Sequence, residues 1–137
     1  MNANTWLSRF LTIGAVLEIP VGLGLLVVPS ALSTLLLGAP LSGTGLIVDR
    51  LGGGGLLALG IACWFARSTP IARAGLGVAA SLLTYNVIAC VTLFLVPPGP
   101  GSRALLLGVA ALHGLLAVGL LGALLLGARQ RGAQLNG

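Results

Sequence analysis

Charge is what this sequence has least of. Asp49 and Glu18 are its only acidic residues, lysine is absent, and all 7 basic residues are arginine. Charged side chains make up 7% of the chain against 57% hydrophobic, where ordinary soluble domains are about a quarter charged. So few charges cannot cover a soluble surface, which leaves the lipid bilayer as the solvent for most of the chain. Other shortages exclude chemistries. A single histidine and 2 cysteines give neither zinc-ligand spacing nor a pair of axial haem ligands. Without lysine no GxxxxGK[ST] loop exists, and no GxGxxG is completed, so Gly52-Gly53-Gly54-Gly55 reads as tight helix packing or a flexible start to a helix, not a phosphate cradle. A Ser–His–Asp nucleophile would need His113 beside Asp49, and nothing in the sequence aligns them. No catalytic residue, metal site or cofactor is expected. Strand alternation is missing, which excludes a β-barrel.

What is present is four apolar runs: Phe10 to Val28, Leu51 to Ala66 with an extension back to Gly43, Gly75 to Val96, and Ala104 to Ala128. Each reaches the roughly 20 residues that a hydrocarbon core of about 30 Å demands. They predict an all-α protein, a four-transmembrane-helix antiparallel bundle in one domain. Its helices are expected at about residues 7–28, 43–66, 72–96 and 103–128. The first run is read as a retained helix and not a signal peptide, because Glu18 and Pro20 interrupt a stretch that is also too long. Short links, Ser68-Thr69-Pro70 on one side and Val96-Pro97-Pro98-Gly99-Pro100-Gly101 on the other, make successive helices antiparallel neighbours. The segment Pro29 to Ser42 stays apolar at Leu35-Leu36-Leu37 and fits a short helix in the interface.

The sequence pI of about 11.3 does not imply nucleic acid, because the arginines stand singly at the edges of apolar runs, as topology signals do. Arg9, Arg67, Arg73, Arg129 and Arg131 fall on one side, Arg50 and Arg103 on the other. That asymmetry places both termini in the cytoplasm. Trp6 and Trp64 agree, since both lie at the same ends, where indole rings prefer the interface. The lysine-free, Ala-, Gly-, Leu- and Arg-rich composition has the look of a GC-rich bacterial gene, and the bacterial cytoplasmic (inner) membrane is the expected location. Cys63 and Cys90 are placed roughly 15 Å apart in depth, too far for a disulfide, and are read as small apolar fillers.

In lipid, helices approach through small residues. Three stripes at a spacing of four stand out: Gly14 and Gly22 flanking Glu18 in the first helix; Gly54, Ala58, Ala62 and Ala66 in the second; Gly119, Ala123 and Gly127 in the fourth. All three are expected to face other helices. Counting about ten residues inward from each outer boundary brings Glu18, Asn86 and His113 to one depth on three helices, with Tyr85 adjoining and Asp49-Arg50 nearer the outside. Ionisable groups in lipid are costly and pair in the interior. Glu18 is therefore expected to face inward, within direct or water-bridged reach of Arg50, Asn86 or His113. Two uses follow. Glu18 and His113 form a proton relay oriented by Asn86 and Tyr85, or Glu18, Arg50, Asn86 and His113 pair only to fix helix register. Pro20 removes the helical partner of the Val16 carbonyl, which near Glu18 would offer a place for a water or substrate group.

The short bundle, Val28-Pro29 closing the first helix before an apolar outer loop, and Asp49-Arg50-Leu51-Gly52-Gly53 opening the second together resemble the small four-helix bacterial membrane proteins grouped as DoxX-like. That resemblance covers most of the chain and implies a partner-dependent role, in some members within redox or thiol-stress assemblies. No functional residue is carried over from it. Three readings of function follow. The first is a non-catalytic small integral membrane subunit or accessory protein of a larger assembly, its partners the lipid bilayer and other membrane subunits or further copies of itself. The second is a DoxX-like redox- or quinone-linked component with Tyr85, His113 and Glu18 lining the pocket. The third is an oligomeric proton-coupled carrier of small solutes.

Overall fold

The computed structural model describes residues 2–97 and 99–135, with side chains as far as Gln130. Pro98 of the outer turn and the Arg131 side chain, used above for topology, lie outside the described residues. The described chain is helical throughout its regular structure: α1 (Ala3–Val27), α2 (Pro29–Leu37), α3 (Thr44–Ala66), α4 (Arg73–Leu95) and α5 (Arg103–Leu135). Four of them, all but α2, are long and apolar enough to cross a membrane, as a multi-pass membrane protein requires.

Local chemistry sets the ends. The Asn2 side chain accepts from Thr5 N–H at 3.0 Å and caps α1, so the helix begins about two turns before the apolar run does. Pro29 opens α2 at its first turn, where its missing N–H costs nothing. Gly38 closes α2 in the left-handed conformation, φ 77°, and its N–H returns to the Thr34 carbonyl at 2.9 Å, a glycine C-cap. Beyond it, the Gly99 N–H donates to the Leu37 carbonyl at 3.1 Å. That bond ties the end of α2 to the turn between α4 and α5.

α1 packs most extensively on α3, and α4 on α5; α1 against α5 and α3 against α4 complete the bundle. At the α1–α3 contact the backbones nearly touch. A Cβ on Gly22 would lie 2.7 Å from the Gly53 carbonyl oxygen, and one on Gly53 would lie 2.8 Å from that of Gly22. Gly60 likewise backs onto Ile19 and Glu18, and Gly14 onto Leu82 and Cys63. At the α1–α5 contact, Gly119 accommodates the Phe10 ring and Gly127 faces Ala3, while Ala123 is buried.

The contact face of α3 is displaced by one residue from the expected stripe. Gly53, Gly60 and Cys63 are buried, whereas a Cβ on Gly54 would meet nothing within 4 Å and Ala58 is exposed. Ala62 is half-buried. In a chain with 22 glycines several stripes have the right period. The one that packs is the one opposite Gly22, which small-residue spacing alone does not identify.

The bundle divides lengthwise. Leu7, Leu11, Ala15, Cys63, Ala79, Leu82, Leu120 and Ala123 form a closed apolar core. They come from the first half of α1, the second half of α3, the first half of α4 and the second half of α5. Cys63 and Cys90 are both free and have different neighbours: Cys63 packs in this core, and Cys90 lies against Gly114. In the other halves α1 still meets α3 at Gly22 and Gly53, but a space is left between the helices, and α2 lies against it.

Candidate functional site

Where the core ends, a cavity of about 460 Å³ begins, and residues of all five helices line it. Its wall is apolar (Leu17, Leu25 and Val21 of α1, Leu36 of α2, Leu56 of α3, Ile88 and Leu93 of α4, Val109 of α5) except at Glu18, Tyr85, Thr92 and His113. Thus three of the polar residues singled out in the sequence converge on one space from α1, α4 and α5.

Glu18 lies on the inner face of α1, only 3% exposed, one turn from Gly14 and Gly22. Its carboxyl makes no hydrogen bond or ion pair among the described residues, so the expected pairing is not made directly. Asn86 is fully buried and is committed on both sides. Its amide N–H donates to the Leu82 carbonyl at 2.8 Å, and its oxygen lies 2.9 Å from His113 Nδ1. Turning the amide over would set oxygen against oxygen at Leu82, so the oxygen must face the imidazole. Nδ1 therefore carries the proton and donates, and neutral His113 keeps a bare Nε2 as an acceptor. Tyr85 meets the His113 ring edge to face, centroids 5.5 Å apart and planes at 85°, a favoured aromatic geometry. Tyr85 and His113 are held in place by this contact and by Asn86, while the Tyr85 hydroxyl and His113 Nε2 make no hydrogen bond among the described residues. No polar side-chain atom here is both sealed and unpartnered, so all three free groups open onto accessible space.

Arg50 does not join this group. It is exposed on α3 and makes no ion pair with Glu18. The reason is helical phase: Asp49 lies on the face of Gly53 and Gly60, and Arg50 is turned about 100° from it, toward Gly54 and Ala58. The freed carbonyl below Pro20 is also elsewhere. Val16 and Pro20 line a separate surface groove with Trp64, since positions 16 and 18 point to nearly opposite sides of a helix.

One polar contact was not anticipated. Ser33 of α2, buried, donates to the Asp49 carboxylate and also lies 3.0 Å from the Pro29 carbonyl. Asp49 is thus engaged by α2 and not by its neighbour Arg50. A second cavity of about 330 Å³ lies beside this pair and shares Val21, Leu25, Leu36 and Val109 with the first. The available signal was a lone serine in an apolar helix, one turn after Pro29, but its partner is set by tertiary packing.

Among the described residues no three His, Cys, Asp or Glu side chains gather as metal ligands. No family model, curated protein or solved structure matches the chain.

Proposed function

We propose that this chain is an antiparallel four-span protein of the bacterial cytoplasmic membrane, with both termini in the cytoplasm, that binds a small lipid-soluble molecule in the Glu18–Tyr85–His113 cavity. One observation carries the binding reading: three side chains, each with a hydrogen-bonding group that has no partner among the described residues, face one space whose remaining wall is almost entirely apolar. Such a combination of apolar wall and few convergent polar groups characterises ligand sites, and polar groups kept unpaired in lipid mark function more than packing. The topology is supported by the Ala3 N–H donating to Gln130 Oε1 at 3.3 Å, which joins the beginning of α1 to the far part of α5. Arg9 and Arg67 lie with Trp6 and Trp64, the Arg67 guanidinium stacked 3.4 Å from the Trp64 ring centre, a pairing suited to a charged interface.

The test is mass spectrometry of the organic extract from the protein purified in mild detergent, beside a variant with the cavity filled by Val109→Trp. A small molecule in near-stoichiometric amount with the native chain, lost with Val109→Trp, is the expected result. Equal extracts from both proteins would end this reading.

A second reading, membership of a larger membrane assembly or homo-oligomer, is favoured by the uncovered face of α3. Arg50, Gly54 and Ala58 follow at a spacing of four on a side that nothing among the described residues covers. Gly54→Leu should then dissociate a complex seen in native gels. A chain that runs only as a monomer from its own membrane removes this reading.

A further inference from the structure

We propose that the molecule taken up by the cavity is a lipophilic amine, held as its ammonium between the Glu18 carboxylate and His113 Nε2 with its apolar body along the Leu25–Leu36–Val109 wall. This rests on the binding reading above and assigns the chemistry of the head group. The first observation is a missing countercharge. Among the described residues Glu18 is the only acidic group lining the cavity, and no arginine lines it. Arg50, the nearest expected partner in sequence terms, is turned outward. A carboxylate in a low-dielectric space stays ionised only with a cation close by and otherwise takes up a proton; the described residues supply no such cation, and an ammonium ligand would supply it.

The second observation is the direction of the hydrogen bonds. Asn86 uses its N–H on Leu82 and its oxygen on His113 Nδ1, which leaves Nε2 an acceptor. A head group with only carbonyl oxygens could accept from the Tyr85 hydroxyl alone, and would set acceptor against acceptor at the Nε2 lone pair and the carboxylate. A primary or secondary ammonium has donors for both and no acceptor to misplace. Tyr85 lines the same space, and its hydroxyl oxygen can accept a further N–H of a primary ammonium. The shape agrees as well. The adjoining cavity under α2 continues the wall through Val21, Leu25, Leu36 and Val109, and there the polar pair Ser33 and Asp49 is already bonded internally. That extension therefore suits a hydrocarbon tail.

The experiment uses the full chain in lipid nanodiscs and three tritiated photo-crosslinking probes of one skeleton: a phenylalkyl amine, the matching alcohol and the matching methyl ketone. Saturable labelling of α1, α4 or α5 residues that line the cavity is mapped by peptide sequencing. The amine should label at concentrations at least about thirtyfold below the ketone, the ratio expected when a buried charged partner is lost. Glu18→Gln, which keeps the shape, should remove that advantage. Amine and ketone labelling equally well in the native chain would overturn the ammonium assignment and leave the cavity a ligand site. An advantage that survives Glu18→Gln would overturn it too. No saturable labelling by any probe would remove the binding reading itself. The comparison of probes on the native chain decides even if the variant does not fold.

Discussion

The same four long helices build two unlike halves. In one, Leu7, Leu11, Leu82 and Leu120 are completely or almost completely buried among alanines and Cys63. In the other, α1, α4 and α5 hold Glu18, Tyr85 and His113 around an open space, with α2 laid against it. The difference does not come from overall hydrophobicity, since every span is strongly apolar. Nor does it come from small residues alone, since Gly22 and Gly53 meet in the open half; it comes from where a polar side chain takes the place of a packing residue. Leucine gains little by leaving lipid for protein, so a closed half depends on fit, and an open half persists where groups such as Asn86 and His113 fix the helices at a distance.

Breaking the backbone contact between α1 and α3 should have the largest effect. Gly53→Leu places a side chain where a carbonyl oxygen and Leu25 already stand, and should cost about 3 kcal/mol in reversible unfolding by denaturing detergent. Gly54→Leu, one residue away on the uncovered face, should change the same measurement by less than about 0.5 kcal/mol. Equal losses would mean that the stripes have been assigned to the wrong faces.

Removing side chain from each half sharpens the contrast. Leu82→Ala in the closed core should cost about 2 kcal/mol through the void it leaves. Val109→Ala, on a wall that already faces space, should cost well under about 1 kcal/mol by the same detergent titration. A cavity half that proved as sensitive as the core would be a packed half.

Next in size is the anchor between the halves. Asn86→Leu removes the acceptor for His113 Nδ1–H and should cost about 1 kcal/mol, within the range of single hydrogen bonds in membrane bundles. It should also free the imidazole to take either tautomer, visible in the ring ¹⁵N chemical shifts of His113. Unchanged shifts would show that Asn86 does not set the tautomer.

The smallest effect belongs to α2. Ser33→Ala releases it from Asp49 and should speed backbone hydrogen exchange in Pro29–Leu37 roughly fivefold, the equivalent of about 1 kcal/mol. The four spans should exchange as before. Uniform exchange changes across the chain would make α2 part of the core and not a cover.

The spans were legible because length and apolarity are one-dimensional quantities. The expected segment at about 43–66 corresponds to Thr44–Ala66, and that at about 72–96 to Arg73–Leu95. The early start of α1 was not, because Asn2 acts through one capping bond that a hydropathy window does not register. Counting residues along straight helices put Glu18 and His113 at one level, and they line one cavity with Tyr85. Which polar groups meet was not legible, because helix phase decides it. One residue of rotation separates Asp49, bonded to α2, from Arg50, exposed on α3. The same one-residue uncertainty displaced the packing stripe from Gly53 to Gly54.

The most direct test of the division into a closed and an open half is solid-state NMR of the labelled chain in bilayers, following magnetisation from water and lipid protons into side chains. Rapid transfer into Glu18, the Tyr85 ring and the His113 imidazole is predicted, with slow transfer into Leu7, Leu11 and Leu120. Equally slow transfer into both sets would contradict the account, because Glu18, Tyr85 and His113 would then be sealed within a continuous core and no cavity would separate them.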